Sequence, residues 1–179
     1  IKTRPDGTCE FKDIQTGLLV LQAYKKDFAT FYKNVDVECS KTAQVILVLN
    51  PSKKLMFNGI SITEGDKLTL SKIQSSAASA VLSQSAKSEL DQIFTFLNTN
   101  KGVEIELNGY TSSEGEANYN RELSLKRVEA CKTYLVEKKI DEKRIFTAGY
   151  GPEKPVAPND TEETRAKNRR VEMKIVRIR

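Results

Sequence analysis

The stretch VEIELNGYTSSEGEANYNRELSLKR, residues 103–127, contains a strand, a polar loop and the start of a helix in direct succession. Apolar residues alternate with glutamates over 103–107, and this two-residue period predicts a strand with one buried face. Small and polar residues then form a loop at 110–115, and good helix formers follow it. The stretch therefore predicts a strand-loop-helix unit, around which the rest of the chain is organised.

This unit is also a candidate binding site. The main-chain N–H groups at a helix N-terminus attract negative charge, and a few fixed side chains beside them add specificity. Arg127 lies on the predicted helix, within reach of the loop. Its planar guanidinium suits a ligand carboxylate. The alternative is an arginine that pairs with Glu116 or Glu122 on the exposed surface of its own helix.

Residues 67–179 predict an α+β domain. The expected strands are 68–73, 103–109, 143–148 and 170–178, and the expected helices are 83–98, 116–138 and a short one that ends near 168. A turn is expected at 149–152. Ser83 should cap the first helix, and Asp160 with Glu163 should form a capping pair for the last. The buried stripe of the first helix is expected to comprise Leu82, Ala86, Leu90, Ile93, Phe94 and Leu97. This order of elements predicts a mixed β-sheet with helices on one face.

Residues 1–50 predict a small all-β domain. Short apolar runs without helical period occur at 8–11, 18–23, 31–39 and 44–49. Their spacing suits a small antiparallel β-sandwich. Residues 51–66 begin with Pro-Ser-Lys-Lys and are predicted as a linker, in which 56–62 either stays extended or packs on one of the domains.

Composition excludes several classes of site. The 179 residues include no histidine, which is the commonest general base and metal ligand. The cysteines at 9, 39 and 131 form no C-x-x-C pair, so we expect no metal, no cofactor and no enzyme. Cys131 is expected to be a buried helix residue, whereas Cys9 and Cys39 either form a disulfide or stay unpaired. Basic and acidic residues are interleaved at a net charge of +5 and form no basic tract, which gives nucleic acid a low weight; another polyanionic partner would also suit a mildly basic surface.

Two groups of residues resemble the signatures of one family. The central stretch matches the pattern G-x-T-D-x-x-G-x-x-x-x-N-x-x-L-S-x-x-R at every fixed position but one, through Gly109, Thr111, Gly115, Asn120, Leu123, Ser124 and Arg127. The second group comprises Asn159, Arg165 and the run NRRVE at 168–172. On these residues, 67–179 resembles the OmpA-like C-terminal domain, the peptidoglycan-binding module of Gram-negative envelopes. The resemblance implies a non-catalytic protein of the periplasm that is associated with the outer membrane and cell wall.

The resemblance also implies a ligand, namely the diaminopimelate of the peptidoglycan stem peptide. Its side chain ends in an ammonium and a carboxylate. The positions that correspond to the family's binding loop and its neighbours are Arg127, Ser112, Thr111, Asn120 and Arg165. Arg127 would bind the carboxylate, and Thr111 and Asn120 would fix the loop or touch the ligand. Arg165 and Arg169 are secondary candidates; alternatively they join Arg170 in salt bridges that hold the last helix and strand together.

Position 112 departs from the family pattern, because Ser112 replaces the aspartate that binds the ammonium. A serine hydroxyl accepts a hydrogen bond but supplies no charge, so we expect binding to weaken without being lost. Glu114 or Glu116 would restore the charge if either side chain turned into the site.

The first domain is similar to carboxypeptidase regulatory-like domains, on the run that begins DGTCEFKD and ends QVILVL. That family's first strand is not found before Ile1, so we expect a processed or truncated chain. The order of the two domains resembles peptidoglycan-binding periplasmic lipoproteins of the type IX secretion system. The leading hypothesis is therefore an anchor that holds an envelope assembly, such as a secretion system, to the cell wall. The alternative is an envelope protein–protein interaction module that has lost peptidoglycan binding.

Overall fold

The structure, a computed structural model, describes residues 4–6, 8–12, 14–23, 28, 31–38, 43–49, 53–73 and 81–179. The chain divides into two compact units, Ile1–Ser52 and Lys53–Arg179. Every α-helix in the described part of the chain belongs to the second unit.

Two antiparallel strands form the regular structure described in the first unit. They are β1, Gly17–Ala23, and β2, Phe31–Val37. The predicted strands at 8–11 and 44–49 are wrong, since the described residues there form no strand pairing and Ile46 is 83% exposed. An apolar run becomes a stable strand only where other strands pair with it and cover its face. Because several stretches of 1–50 lie outside the described residues, the β-sandwich over this range is not tested and stays a prediction.

A short hairpin opens the second unit. Its strands are β3, Leu55–Phe57, and β4, Ile60–Ile62, joined by Asn58 and Gly59 at positive φ. Phe57 and Ile62 are buried in the core of this unit, and the Phe57 ring meets that of Phe96 edge-on at 5.3 Å. Of the two alternatives predicted for 56–62, an extended segment or packing on a domain, the second is observed, because the hairpin packs on the second unit.

A four-stranded mixed sheet follows, as the sequence predicted. Its strands are β5, Lys67–Leu70; β6, Val103–Tyr110; β7, Ile145–Gly151; and β8, Val171–Ile178, in the spatial order β5-β8-β6-β7. β6 and β7 run parallel, and the β5–β8 and β8–β6 pairs are antiparallel. The parallel pair requires a long crossover between its strands, and a helix provides it.

The helices described in this unit are α1, Gln84–Thr99; α2, Ala117–Glu137; and α3, Glu162–Asn168. Ser83 caps α1 as predicted, since its hydroxyl accepts from the Ala86 N–H at 3.1 Å. The predicted capping pair of α3 is wrong. Thr161 is the N-cap and forms a reciprocal capping box with Thr164, one position later than expected.

The core lies between α1, α2 and one face of the sheet. Val103, Ile105 and Leu107 of β6 are buried there, and Leu90, Cys131 and Leu135 are among the helical residues that meet them. The opposite face of β6 carries Glu104, paired with Arg177 and Arg179, and Glu106, paired with Lys174. The alternation predicted for this strand and the mixed sheet with helices on one face agree with this packing. On α1, Phe96 is buried and Phe94 only partly so, which corrects the predicted stripe.

β7 differs from its prediction at both ends. Residues 142–144 form a short 3₁₀ turn, and the strand continues through Gly151 instead of turning at 149. Gly149 and Gly151 pair with Gly109 and Tyr110 of β6. Glycines that looked like a turn in the sequence are therefore strand residues at the edge of the candidate site.

Candidate ligand-binding site

The candidate site lies where β6 leaves the sheet and α2 begins. Main-chain hydrogen bonds fix this point from both sides. Tyr110 N–H donates to the Arg170 carbonyl at 2.9 Å, and Thr111 N–H donates to the Gly151 carbonyl at 2.8 Å. The loop 111–116 therefore starts from a rigid position held by both neighbouring strands.

Glycines let the first half of α2 approach the strand ends closely. A Cβ on Gly109 would lie 2.4 Å from the Ser124 carbonyl oxygen, and one on Gly149 would lie 2.6 Å from the Leu125 nitrogen. Ser124 is fully buried; its hydroxyl accepts from the Gly151 N–H at 2.9 Å and donates to the Arg121 carbonyl at 2.8 Å. Gly109 and Ser124 of the first signature thus fix helix to strand by close contact and do not themselves need to touch a ligand.

Asn120 and Thr111 hold the loop in shape. Asn120 is buried, and its amide donates to the Glu114 carbonyl at 2.7 Å. The Thr111 hydroxyl, also buried, donates to the Ser112 carbonyl at 2.8 Å. The sequence left open whether these residues fix the loop or touch the ligand. These direct contacts support the loop-fixing role.

Ser112 lies inside the loop, 5% exposed, and its hydroxyl donates to a Glu114 carboxylate oxygen at 3.2 Å. The other oxygen of that carboxylate is 3.3 Å from Arg165 Nε, and the first is 4.0 Å from an Arg169 guanidinium nitrogen. The family pattern has an aspartate at position 112. Here a carboxylate lies two residues later, at Glu114, and accepts a hydrogen bond from the Ser112 hydroxyl.

Arg127 is 5% exposed, so it does not lie on the exposed surface of α2 as the alternative interpretation required. Burial lowers its pKa below the ordinary arginine value, and the nearby positive charge of Arg169 lowers that pKa further. Arginine nevertheless stays charged in proteins, so the site contains a buried positive charge at Arg127 that is within electrostatic range of Arg169.

The second signature braces the site from α3. Asn159 accepts from the Ser113 N–H at 3.2 Å and from the Asn168 amide at 3.0 Å. Asn168 is fully buried, and its side-chain amide oxygen accepts from the Val156 and Ala157 N–H groups. Sequence reasoning gave neither asparagine a role. The signal that pointed to them was their membership of the second signature, whose spacing alone does not show what they bind.

Arg165, Arg169 and Arg170 form salt bridges, but these bridges lie within α3 and its C-cap or at the start of β8, and do not join the helix to the strand as the sequence predicted. Arg165 and Arg169 both pair with Glu162 on α3, and Arg170 pairs with Glu172 at 2.7 Å. Arg165 and Arg169 also approach Glu114, so these two belong to the loop as well as to α3. The structure brings Arg127, Ser112, Thr111, Asn120 and Arg165 into this one region of loop, α2 and α3.

The cysteines and the remaining clusters point to no further site. Cys131 is fully buried, as predicted, and burial raises its pKa to about 12. Cys9 is an exposed free thiol, while its possible partner Cys39 lies outside the described residues. Within the described ranges, no group of three or more cysteine or acidic side chains is arranged to hold a metal ion. In the same part of the chain, no helix is both long and apolar enough to cross a membrane.

The sequence profile of the OmpA family matches residues 76–169, which include the loop, α2 and α3. The chain belongs to the OmpA family. It is 37% identical over 123 residues to Outer membrane protein A of Bordetella avium. That alignment covers 69% of this chain and 57% of the relative, so the chain spans little more than half of the relative's length.

Two solved structures resemble this chain in fold. The peptidoglycan-associated lipoprotein from Burkholderia pseudomallei is 26% identical, with a TM-score of 0.55 over 57% of this chain and 86% of that chain. The cell wall anchor of the T6SS from Pseudomonas aeruginosa is 27% identical, with a TM-score of 0.52 over 61% of this chain and 78% of that chain. These likenesses support the mixed α/β fold of the second unit.

Proposed function

We propose that the second unit binds peptidoglycan without catalysis and anchors an outer-membrane or periplasmic assembly to the cell wall. The ligand would be the diaminopimelate of the stem peptide, with its side-chain carboxylate on Arg127. The observation that carries this proposal is the buried Arg127 guanidinium, within electrostatic range of Arg169, on the helix that follows a loop whose shape is fixed by Thr111 and Asn120. A charge held in this way is preorganised for a carboxylate.

The named relatives support the same proposal. One similar structure is a peptidoglycan-associated lipoprotein, and another is the cell wall anchor of a secretion system. A periplasmic location at the outer membrane and a role in a secretion assembly follow by analogy. The type IX system is the assembly whose domain order the chain resembles. Fold-level analogy is weak evidence for one particular assembly, so the wall contact is the part to test first.

The test is co-sedimentation of the folded chain with purified diaminopimelate-type peptidoglycan sacculi. Wild type should sediment with the sacculi, and Arg127→Ala should stay in the supernatant because the carboxylate contact is lost. Arg121→Ala is the matched control: Arg121 lies on the same helix, and its side chain is 65% exposed and faces Glu153. It removes the same charge and should leave binding unchanged.

Circular dichroism and a urea unfolding curve for each variant show whether Arg127→Ala is folded. If wild type and both variants remain soluble, the peptidoglycan proposal is wrong. The protein–protein interaction module then becomes the better explanation of the substitution at Ser112.

A further inference from the structure

The Glu114 carboxylate is held in place yet open to solvent. Ser112 donates a hydrogen bond to one of its oxygens at 3.2 Å, and Arg165 Nε lies 3.3 Å from the other. The main chain at the same residue is fixed, because its carbonyl accepts from Asn120. The side chain of Glu114 is nevertheless 58% exposed. A carboxylate that is oriented by its neighbours and still accessible can meet a positively charged group of a ligand.

We infer that Glu114 supplies the negative charge that binds the ligand ammonium and that Ser112 positions the Glu114 carboxylate. This inference rests on the function proposed above. Ser112, at 5% exposure, lies beneath the carboxylate and acts through Glu114 instead of carrying the charge itself. The site therefore has the charge of an aspartate at position 112, delivered from position 114.

The arrangement of charges favours a ligand that carries both signs. Arg169 connects the two sides of the site, since it is 4.0 Å from Glu114 and close enough to Arg127 to act on it electrostatically. Arg165 and Arg169 are already shared with Glu162 on α3, which leaves them partly neutralised. With the ligand carboxylate on Arg127, as proposed above, the accessible Glu114 carboxylate is the group that can meet the ammonium. In an amino-acid head these two ligand groups are attached to the same carbon.

A different role for Glu114 makes the opposite prediction. The carboxylate would instead occupy the place of the ligand carboxylate and compete with it for Arg165 and Arg169. Neutralising Glu114 would then strengthen binding of every carboxylate ligand, with or without an ammonium. The two roles are separated by measuring how the preference for the ammonium changes, and not by affinity alone.

The experiment measures affinity for two synthetic tripeptides, L-Ala–γ-D-Glu–X, by isothermal titration calorimetry. In the first, X is meso-diaminopimelate. In the second, X is 2-aminopimelate, which keeps the side-chain carboxylate and lacks the ammonium. Wild type should prefer the first by about tenfold or more, because the second peptide cannot make the charge-assisted hydrogen bond to Glu114. Glu114→Gln should lower affinity for the first peptide to that for the second and leave the second unchanged.

Further variants test whether the preference for the first peptide depends on the position of the carboxylate or only on its charge. Glu122→Gln removes a carboxylate from an exposed position of α2 and should keep the tenfold preference. Ser112→Ala should narrow the preference, because the carboxylate loses its orienting hydrogen bond. Ser112→Asp combined with Glu114→Gln should restore it, which a purely structural role for Ser112 would not produce.

Three results would overturn the inference. If Glu114→Gln binds both peptides more tightly, Glu114 competes with the ligand carboxylate for Arg165 and Arg169. If Glu114→Gln keeps the wild-type preference for the first peptide, Glu114 does not meet the ammonium. In both cases wild-type binding would leave the proposed function intact. A folded wild type that binds neither peptide overturns the proposed function together with this inference.

Discussion

The two halves of α2 bury different kinds of side chain on one continuous helix face. Near the loop the buried residues include Asn120, Ser124 and Arg127, whereas further along they are Val128, Cys131 and Leu135. The polar half packs on the glycine-bearing ends of β6 and β7, and the apolar half lies in the hydrophobic core. Burying polar groups costs free energy unless they are bonded. The comparison shows that one half of the helix contributes mainly stability and the other mainly the geometry of the site.

The largest expected effect comes from the apolar half. Leu135 is fully buried, so Leu135→Ala should lower the free energy of unfolding by about 2–5 kcal/mol through lost burial and a residual cavity. Urea unfolding measures this change. The fraction that remains folded should bind sacculi as wild type does, since the loop and Arg127 are untouched. A loss of binding larger than the loss of folded protein would contradict the division between the two halves.

Gly109→Ala should affect both halves, with a smaller loss of stability. The added Cβ would lie 2.4 Å from the main-chain oxygen of Ser124, and backbone has to shift to relieve that contact. Overpacking of this kind costs about 1–3 kcal/mol. Because the shift moves the start of α2 away from the loop, sacculus binding by the folded protein should weaken as well. Binding equal to wild type, at matched folded fraction, would show that the close approach does not position the site.

The smallest effect is expected at Glu162, which pairs with Arg165 and Arg169. The hydrogen bond from Arg169, and after it that from Arg165, lowers the pKa of Glu162. A lowered pKa in the folded state stabilises the protein above the unfolded value of about 4.3 and loses this contribution as pH falls through the folded pKa. Glu162→Gln should therefore be less stable than wild type at neutral pH and equal to it in acid.

Urea midpoints between neutral and acidic pH measure that dependence. Leu135→Ala offers the contrast, because a cavity has no titrating group and its deficit should be the same at every pH in the range. If the Glu162→Gln deficit also stays constant with pH, the ion pairs with Arg165 and Arg169 do not contribute in solution.

The local sequence pattern was sufficient to predict much of the secondary structure of the second unit. Alternation predicted β6 and β8, the apolar stripe predicted most of α1, and Ser83 marked the start of that helix. The same approach failed at 44–49, where an apolar run finds no strand partner among the described residues. It also misjudged Gly149 and Gly151, because a glycine required for close packing and a glycine required for a turn look identical in sequence.

The sequence by itself determined the family, the strand-loop-helix unit and the presence of Arg127, because these depend on residue type and spacing. Only the tertiary structure brought Glu114 to Ser112, set Arg169 beside Arg127 and tied Asn159 to the loop. The hydrogen bond between Ser113 and Asn159 joins the loop to the segment before α3, 46 residues later in the chain. Hydrogen bonds and Coulomb interactions act over a few ångströms in space, and spacing along the chain does not encode which side chains meet after folding.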